Sequence, residues 1–467
     1  MRGMKTSPVL ALCALLAALL AAACCRVDGG KVAAPAPRAA ELHDVVFISI
    51  DTQRVDRLGV YGYAQKTSPN LDALAKEAVV FDDHHAQAPI TLPSHTSMLT
   101  GLDPQHHGVR TNGAFRLGPS AFTLAEALKA QGYATGAVVS AGVLNPEFGL
   151  DQGFDAYSGD FSEASSKAYS DATSATDRAI AWADSVPSSS RMFLFVHYYD
   201  PHIDNGAPPR FSFTDPYDAE VAYADEQIGR LLDHLKQKGR AGDALIVVTA
   251  DHGQSLGEHG LTGHTHVLYE QTLHVPLIVR FPGGAHGGTR VASLTRSVDL
   301  MPTILSFLGV RTEVAFNGVD LLPAAIGGAP PEIRESYAET LFAPVPQLHE
   351  KSIISGGRKL ISLYLLPDGF SVADAIEMIG AKRLRALPNL QGNIDNYTNL
   401  LAGLPNGRGL FDLAADPKEE KNLYTAEPKL ASELEAALAR QKGPLPGEPY
   451  IPDSTLATQL RNLGYVQ

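Results

Sequence analysis

The sequence predicts an α/β protein with a large, mixed, mostly parallel sheet flanked by helices and a smaller C-terminal α+β subdomain. Three observations lead to this prediction. Apolar β-branched runs alternate with helical patterns, several of those runs end in Asp or His, and the pattern changes after about residue 340. Strands that alternate with helices form a parallel sheet covered on both faces, and such sheets bind ligands beyond the carboxyl ends of their strands.

The predicted strands of the main sheet are long apolar runs, as expected for strands buried on both faces. In chain order they are "DVVFISID" (44–51), "ATGAVVS" (134–140), "RMFLFVHYYD" (191–200), "ALIVVTADHG" (244–253) and "VPLIVRF" (275–281). We assign these runs to one large domain that spans residues 44–340.

Helical patterns separate the predicted strands. The segment 123–132 opens with a capping box, Thr123 and Glu126, and closes on Gly132. The segment 218–239 places apolar residues on one side, and 297–309 is a further helix that ends in Gly.

The segment 341–467 is interpreted as the C-terminal subdomain. Residues 351–366 favour a pair of strands, and 410–423 favour a strand, a turn and the start of a helix. The segment 427–441 is amphipathic. Residues 367–408 are too weakly patterned for an assignment.

The first residues are expected to lie outside the fold. Residues 1–24 combine a basic start with an apolar run and small residues before Cys24, which is typical of an export signal of the lipoprotein type. Leu is usual three places before the processed Cys, whereas Ala21 stands there. A membrane anchor is the alternative. Residues 25–43, rich in Ala, Pro and Gly, are interpreted as a tether.

Charge and cysteine usage exclude several functions. The formal net charge is −13, which disfavours a nucleic-acid partner. All three cysteines (Cys13, Cys24 and Cys25) lie in the leader, so the domain that follows has no disulfide and no Cys nucleophile. We therefore expect an exported protein, either periplasmic or anchored by lipid to a membrane of a bacterial envelope.

Polar residues follow three of the predicted strands: Asp51, "HYYDPH" (197–202) and "DHG" (251–253). Because the carboxyl ends of parallel strands meet at one edge, these side chains are expected to converge. Asp51, Asp251 and His252 offer two carboxylates and an imidazole, which suit Zn²⁺ or Mn²⁺ better than Ca²⁺. We predict one divalent metal there, with zinc or manganese favoured and calcium as the alternative.

A candidate nucleophile lies in "PITLPSHTSMLTG" (89–101). The hydroxyl of Thr91 is a poor nucleophile unless a cation at its oxygen lowers its pKa, and a helix beginning here would favour an anion. Asp200, His202 and His264 are candidate ligands of a second metal. Alternatively, His202 and His264 act as acid, base or hydrogen-bond donor without one.

Other polar residues are expected to be structural. Asp56 is interpreted as an ion-pair partner of Arg54 or Arg57. Three histidines are expected at the surface or in loops, namely His85, His106 and His107.

Ordered sequence blocks after residue 44 resemble the sulfatase family of the alkaline phosphatase superfamily. They are "ISIDTQRVDRLGVYGYAQKTSPNLDALAKEAVVFDD", "TLPSHTSMLTGLDPQHHGV", "FVHYYDPH", "TADHGQSLGEHG", "HTHVLYEQTLHVPLIVRFPG", "VDLMPTIL", "LFDLAADPKEEKNL" and "LRNLGYV". The resemblance implies ester hydrolysis through a covalent enzyme intermediate and a C-terminal subdomain with a small sheet.

The resemblance also implies roles for particular residues. Asp51, Asp251 and His252 match metal ligands, and Thr91 matches the nucleophile, which also contacts the metal. His202 matches the active-site His of the family. His264 matches a position that contacts the substrate or a second metal.

The departures from the family pattern narrow the chemistry. Thr91 stands where formylglycine is made from Cys or Ser, and His95 stands where the motif has Arg, so no formylglycine is expected. Thr52 replaces the second Asp after the first strand, and His252 replaces a frequent Asn. This set resembles the phosphodiesterase, nucleotide pyrophosphatase and phosphoethanolamine transferase branches, in some of which an Asn steadies the transferring group. Asn112 is the candidate for that role.

Three functions are compatible with the sequence. The favoured one is an exported hydrolase of small anionic phosphate or sulfate esters, with phosphoryl esters preferred. A headgroup transferase of the envelope is the second, although the known transferases carry several membrane spans. The third is a catalytically inactive binding protein.

Overall fold

The structure, a computed structural model, describes residues 43–159, 169–202, 206–264, 267–333, 335–341, 349–364, 390–441 and 448–449. The predicted export signal, nearly all of the predicted tether and most of 367–408 lie outside these ranges. None of the helices within them is long and apolar enough to cross a membrane.

Five of the eight strands of the main sheet lie close to predicted positions, whereas the three that begin at Val79, Ala156 and Arg290 were not predicted. The eight strands are β1 (Asp44–Ile50), β2 (Val79–Phe81), β3 (Ala134–Val138), β4 (Ala156–Ser158), β5 (Met192–Tyr198), β6 (Ala244–Ala250), β7 (Leu277–Arg280) and β8 (Arg290–Val291). A second sheet contains β9 (Ser336–Leu341), β10 (His349–Ser355), β11 (Arg358–Tyr364) and β12 (Arg408–Asp412).

The α-helices connect and cover these strands. They are α1 (Pro69–Ala75), α2 (Thr91–Thr100), α3 (Pro104–His107), α4 (Leu124–Lys129), α5 (Ala172–Ser185), α6 (Pro216–Gln237), α7 (Glu270–Leu273), α8 (Leu300–Phe307), α9 (Leu322–Ala325), α10 (Leu390–Gly403) and α11 (Pro428–Arg440).

The main sheet has eight strands in the order β8-β2-β7-β6-β1-β5-β3-β4. Strand β1 lies in the middle and pairs in parallel with β5 and with β6. Strand β7 pairs antiparallel with both β6 and β2, so it runs against the rest of the sheet. The predicted mixed, mostly parallel sheet is therefore confirmed.

Helices bury both faces of this sheet. Along β1, Val45 and Phe47 belong to the apolar cluster that includes Ile304 of α8. The alternating residues Val46 and Ile48 belong to the cluster on the other face, together with α6. Alternation of side chains across a strand thus supplies both cores from a single apolar run.

Helix ends follow the local capping signals. The capping box of Thr123 and Glu126 is formed in full and begins α4, which ends at Lys129 rather than at Gly132. Helix α6 begins at Pro216, earlier than predicted, because the side chain of Asp215 accepts a hydrogen bond from the Tyr217 amide at 3.1 Å.

The C-terminal sheet is antiparallel, with strand order β9-β10-β11-β12. Apolar residues of β10, β11 and β12 pack with Leu434 and Leu438 of α11 in a separate cluster. The predicted strand pair in 351–366 is confirmed as β10 and β11, and the small α+β unit is confirmed with it.

One local prediction was wrong, because no helix starts within 410–423. The chain turns there instead, and the side chain of Asp416 accepts hydrogen bonds from the amides of Glu420 at 3.1 Å and Lys421 at 2.8 Å. An Asp that bonds the backbone just ahead of it favours a turn over a helix.

The expectation for the histidines was wrong at two positions, since His85 is 1% exposed and His107 is 9% exposed. Both imidazoles have buried polar partners: His85 contacts Glu270 at 2.9 Å, and His107 contacts Ser97 at 3.1 Å. A buried imidazole needs such partners.

The expected ion pair of Asp56 is present. Arg54 donates to both of its carboxylate oxygens, at 2.9 and 2.7 Å.

Candidate active site

Two carboxylates meet at the carboxyl edge of the main sheet. In the parallel register of β1 and β6, Ile50 is the partner of Ala250, so the residues that follow, Asp51 and Asp251, are neighbours. Both are 0% exposed. The convergence predicted from two segments far apart in the sequence therefore exists.

Most of the oxygens of these carboxylates lack a hydrogen-bond donor. Asp251 Oδ1 accepts from the amides of Thr52 at 3.1 Å and His252 at 2.8 Å. Among the described residues, Asp251 Oδ2 and both oxygens of Asp51 have no hydrogen-bond partner. Burial raises the pKa of Asp51, and burial together with the Asp51 charge raises the pKa of Asp251. Buried acceptors without donors form a site suited to a cation.

The ring of His252 completes this donor set. Its Nδ1 lies 3.0 Å from the carbonyl oxygen of Gly253, which can only accept, so the neutral ring carries its proton on Nδ1. The lone pair of Nε2 then faces Asp251 Oδ2 at 3.4 Å. Ligand atoms of Asp51, Asp251 and His252 lie within 4.8 Å of one another, so two carboxylates and a bare imidazole nitrogen are available to one metal ion.

Thr91 lies at the first position of α2, beside these ligands. Its Oγ1 is 3.5 Å from His252 Nε2, and the residue is 0% exposed. The preceding residue, Ile90, is extended and provides no side-chain cap. The hydroxyl therefore stands at a helix N-terminus, where the backbone favours negative charge.

Asn112 and Ser94 fix the start of this helix. Asn112 Oδ1 accepts a hydrogen bond from the Leu92 amide at 2.9 Å, while its Nδ2 has no partner among the described residues. Ser94 Oγ donates to the carbonyl oxygen of Asp251 at 2.5 Å, which ties α2 to the end of β6. The unused amide of Asn112 is thus held next to the residue that follows Thr91.

His202 and His264 face each other through their Nε2 atoms at 3.1 Å. His264 Nδ1 lies 3.0 Å from the carbonyl oxygen of Pro89, which places the proton of its neutral ring on Nδ1. Burial lowers the pKa of His264 to about 3, so this ring is neutral at neutral pH. In this contact, His202 is therefore the donor. Its ring stacks on Tyr199, with a centroid distance of 4.6 Å.

His95, which stands at the Arg position of the family motif, lies one turn after Thr91 in α2. Its Nδ1 donates to the carbonyl oxygen of Thr91 at 2.7 Å and lies 3.6 Å from Asp251 Oδ2. Its Nε2 is 2.9 Å from the hydroxyl of Ser49. Both nitrogens are thus engaged, and His95 supports the nucleophile segment and Asp251.

In the structure, Asp200 contacts the start of a helix. Its Oδ1 accepts a hydrogen bond from the Ala172 amide at 3.0 Å, at the start of α5. Burial raises its pKa to about 8. Among the described residues, Asp200 does not belong to any group of three mutually close ligand atoms, in contrast to its assignment as a second-metal ligand. Its strand ends at the same edge, but its carboxyl group serves a helix terminus.

One residue of the centre was not predicted. His197, on β5, is 0% exposed, and its Nε2 lies 3.3 Å from Asp51 Oδ2. The available signal was a histidine inside an otherwise apolar strand, at the first position of the same cluster (197–202) in which Asp200 and His202 were singled out.

Comparisons with known proteins place this centre in a family. The model described as "Sulfatase" matches residues 43–310, and the model described as "N-sulphoglucosamine sulphohydrolase, C-terminal" matches residues 257–376. A phosphonate monoester hydrolase from Agrobacterium radiobacter shares the fold, with a TM-score of 0.64 at 20% identity over 86% of this chain and 96% of the other.

Relatives of known name match shorter parts of the chain. An N-acetylglucosamine-6-O-sulfatase from Bacteroides thetaiotaomicron is 38% identical over 107 residues, which are 23% of this chain and 19% of the relative. The multifunctional alkaline phosphatase superfamily protein PehA from Trinickia caryophylli is 30% identical over 205 residues, or 44% of this chain and 34% of that protein. The matched region thus spans less than two thirds of either relative.

The family match covers more than half of the chain. It runs from β1, which directly precedes Asp51, to the residues after α8. It includes both carboxylates, Thr91 and the histidines of the centre. The chain belongs to the sulfatase family of the alkaline phosphatase superfamily.

Proposed function

We propose that this protein is a metal-dependent hydrolase of small anionic esters, with Thr91 as the nucleophile and phosphoryl esters as the preferred substrates. One observation carries the proposal. The hydroxyl of Thr91 stands at a helix N-terminus, 3.5 Å from Nε2 of His252 and beside two buried carboxylates, three of whose four oxygens have no donor among the described residues. This combination has no structural purpose that an apolar residue would not serve better.

Asp51, Asp251 and His252 would hold the metal. The mixed oxygen and nitrogen donors favour Zn²⁺ or Mn²⁺, with Ca²⁺ as the alternative. When bound, a divalent cation lowers the pKa of a nearby hydroxyl and stabilises negative charge on the ester. A threonine side chain cannot be converted into the aldehyde of formylglycine, which supports direct attack by the Thr91 oxygen.

The residues of the chain account for the remaining steps. With the metal bound, the Thr91 hydroxyl would lose its proton to solvent, and its Oγ1 then forms a bond to phosphorus as the bond to the leaving oxygen breaks. His202, protonated on both ring nitrogens, gives its Nε2 proton to that oxygen and becomes a neutral imidazole. Water then attacks the phosphoryl-threonine, its proton returns to the imidazole, and Thr91 Oγ1 leaves. The Nδ2 of Asn112 and the N-terminus of α2 support the charge on the transferring group.

The charges of the centre favour a singly charged ester. Asp51 and Asp251 form ion-pair contacts with imidazoles alone among the described residues. Burial keeps the rings of His197, His252 and His264 neutral, because it lowers the pKa of each. A divalent cation and two carboxylates are together neutral, so a doubly charged phosphate monoester gains less than a singly charged phosphodiester, phosphonate monoester or sulfate monoester. Among these singly charged esters, Thr91 in place of formylglycine favours the two phosphoryl esters.

A substrate panel tests this function. Chromogenic phosphodiester, phosphonate monoester, phosphate monoester and sulfate monoester substrates are assayed with zinc, manganese or calcium, alongside elemental analysis of the protein. We expect turnover of the first two to exceed that of the others. Sulfatase activity that survives the substitution Thr91→Val would overturn the mechanism.

The same assays distinguish the other functions. Transfer of a phosphoryl-linked headgroup to an added alcohol, in place of hydrolysis, would favour a transferase. Absence of both bound metal and turnover would favour a binding protein. Two metal ions per chain would mean that His202 and His264 bind a second ion instead of acting as donor and acceptor.

We also propose that the chain is exported and anchored through lipid on Cys24. The composition of residues 1–24 supports this. In fractionated cells of a bacterial host, the wild type should enter the detergent phase and Cys24→Ala should not. Recovery of the wild type in the cytoplasmic fraction would refute export.

A further inference from the structure

His197 lies directly behind the metal ligands and is not one of them. It is fully buried on β5, and its register partner on β1 is Ser49. Its Nε2 lies 3.3 Å from Asp51 Oδ2, and its Nδ1 lies 3.3 Å from the backbone nitrogen of Ser140. The ring therefore connects the loop after β3 with the first ligand of the centre.

These contacts determine which nitrogen carries the proton. The Ser140 amide can only donate, so Nδ1 of His197 must be the acceptor. The proton of the neutral ring is then on Nε2, facing Asp51 Oδ2.

A parallel arrangement supports the second carboxylate. His95 Nδ1 lies 3.6 Å from Asp251 Oδ2, and the rings of His95 and His197 meet edge to face at 4.8 Å. Each of the two proposed ligand carboxylates thus has an imidazole within 4 Å, His197 beside Asp51 and His95 beside Asp251. Ser49 joins the two, because it pairs with His197 in the sheet and contacts His95 Nε2 at 2.9 Å.

We propose that His197 is a positioning residue: its Nε2–H faces Asp51 Oδ2 at 3.3 Å, an electrostatic contact outside hydrogen-bond geometry, and keeps the carboxylate in the orientation that binds the cation. This inference goes beyond the proposed function and rests on its metal site. A polar N–H group beside a carboxylate ligand restricts its rotation and thereby strengthens metal binding.

The alternative is that His95, His197 and Asp251 themselves bind a cation, since their ligand atoms also lie within 4.8 Å of one another. The hydrogen bonds argue against it. His95 Nδ1 is used by the Thr91 carbonyl at 2.7 Å, and His95 Nε2 is used by Ser49. His197 Nδ1 is used by the Ser140 amide. Binding an ion there would require breaking one of the two buried hydrogen bonds of His95.

Metal affinity is the decisive measurement, since it does not depend on finding a substrate. The full chain is stripped with a chelator, and the Kd for Mn²⁺ and Zn²⁺ is measured by calorimetry. Gln places an amide N–H near the Nε2 position of His, whereas Asn places it near Nδ1. We expect His197→Asn to weaken binding by about 10- to 100-fold and His197→Gln to recover most of the loss. His234→Asn, on the far side of α6, is the matched control.

The possible results separate this inference from the proposed function. If the wild type binds the metal and all three variants share its Kd, His197 does not position Asp51 and the inference fails. If the wild type binds neither metal, the metal site fails and the inference fails with it. Metal binding without esterase activity would leave the inference standing and overturn only the function.

A second measurement covers the case in which His197→Asn does not fold. Nitrogen-15 NMR of histidine-labelled wild type, with His197 assigned from the His197→Gln spectrum, reports the tautomer directly. We expect the proton on Nε2 both before and after zinc is added. A proton on Nδ1 would overturn the proposal.

Discussion

The Oγ1 atom of Thr91 and the Nε2 atom of His252 lie 3.5 Å apart, although the two residues are 161 positions apart in the sequence. The distance is at the limit of a hydrogen bond. His252 Nε2 also lies 3.4 Å from Asp251 Oδ2 and 4.0 Å from Asp51 Oδ1, so the Thr91 hydroxyl is next to the proposed metal ligands. This relationship makes the identity of residue 91 testable.

Removal of the Thr91 hydroxyl should abolish turnover while leaving the fold intact. Thr91→Val preserves the shape of the side chain, and we expect kcat/KM to fall by about 10⁴-fold or more. Thr91→Ser keeps a hydroxyl and should retain measurable turnover. Mass spectrometry of acid-quenched enzyme should find a phosphoryl group on residue 91 of the wild type. A modified peptide elsewhere in the chain would contradict this assignment.

Substitution of Asn112 should separate catalysis from helix capping. Asn112→Asp keeps the oxygen that accepts from the Leu92 amide, and a carboxylate is favourable at a helix N-terminus. Asn112→Ala loses that oxygen and about 1 kcal/mol of stability. Both variants lack the Nδ2 donor, so kcat should fall by about 10²- to 10³-fold in each. Full activity in Asn112→Asp would show that Asn112 serves only as a cap.

The buried ion pair of Lys359 should be essential for stability. Its Nζ is 0% exposed and lies 2.9 Å from Glu270 and 3.0 Å from Glu419, so it links β11 to α7. Lys359→Met removes the ammonium group that neutralises these two carboxylates and should lower the free energy of unfolding by about 3–5 kcal/mol. Urea titration measures this.

The matched control for that variant is Lys429→Met, because Lys429 is 93% exposed. We expect a change within about 0.5 kcal/mol there. Equal effects of the two substitutions would mean that the Lys359 pair contributes nothing beyond a surface pair.

The stability of the protein should depend on pH through Glu339. Burial alone would raise the pKa of Glu339, but the contact with His349 and the bidentate pair with Arg110, at 2.6 and 2.7 Å, outweigh burial and lower it. Because the folded pKa is the lower one, the stabilisation is present at neutral pH. It is lost as pH falls below about 4.5, the range in which an unfolded Glu takes up its proton.

Glu339→Gln removes this dependence. Its melting temperature should be lower than that of the wild type at pH 7, and the difference should shrink steadily below about pH 4.5. Glu433→Gln, at a side chain that is 61% exposed, is the control and should follow the wild type throughout. A gap between wild type and Glu339→Gln that stays constant down to pH 3 would refute the linkage.

Much of the fold could be predicted because its signals are local. The capping box at Thr123 and the apolar runs of β1, β5 and β6 each specify an element within a few residues of sequence. Short edge strands such as Ala156–Ser158 were not predicted, since three residues carry too little pattern. The reversed direction of β7 was not predicted either, because the same apolar run fits a strand with parallel or with antiparallel neighbours.

The sequence by itself determined which chemical groups are available. They are a hydroxyl at position 91, carboxylates after two strands and a set of histidines, with no cysteine after residue 25. Only the tertiary structure decided how each is used. In the folded chain, Asp200 accepts a hydrogen bond at the start of a helix, and His197 lies beside Asp51. Both positions depend on the register between strands, which the packing of the sheet sets. The proton positions of His252 and His264 follow from main-chain carbonyls of other loops, so they exist only once those loops have folded against the rings.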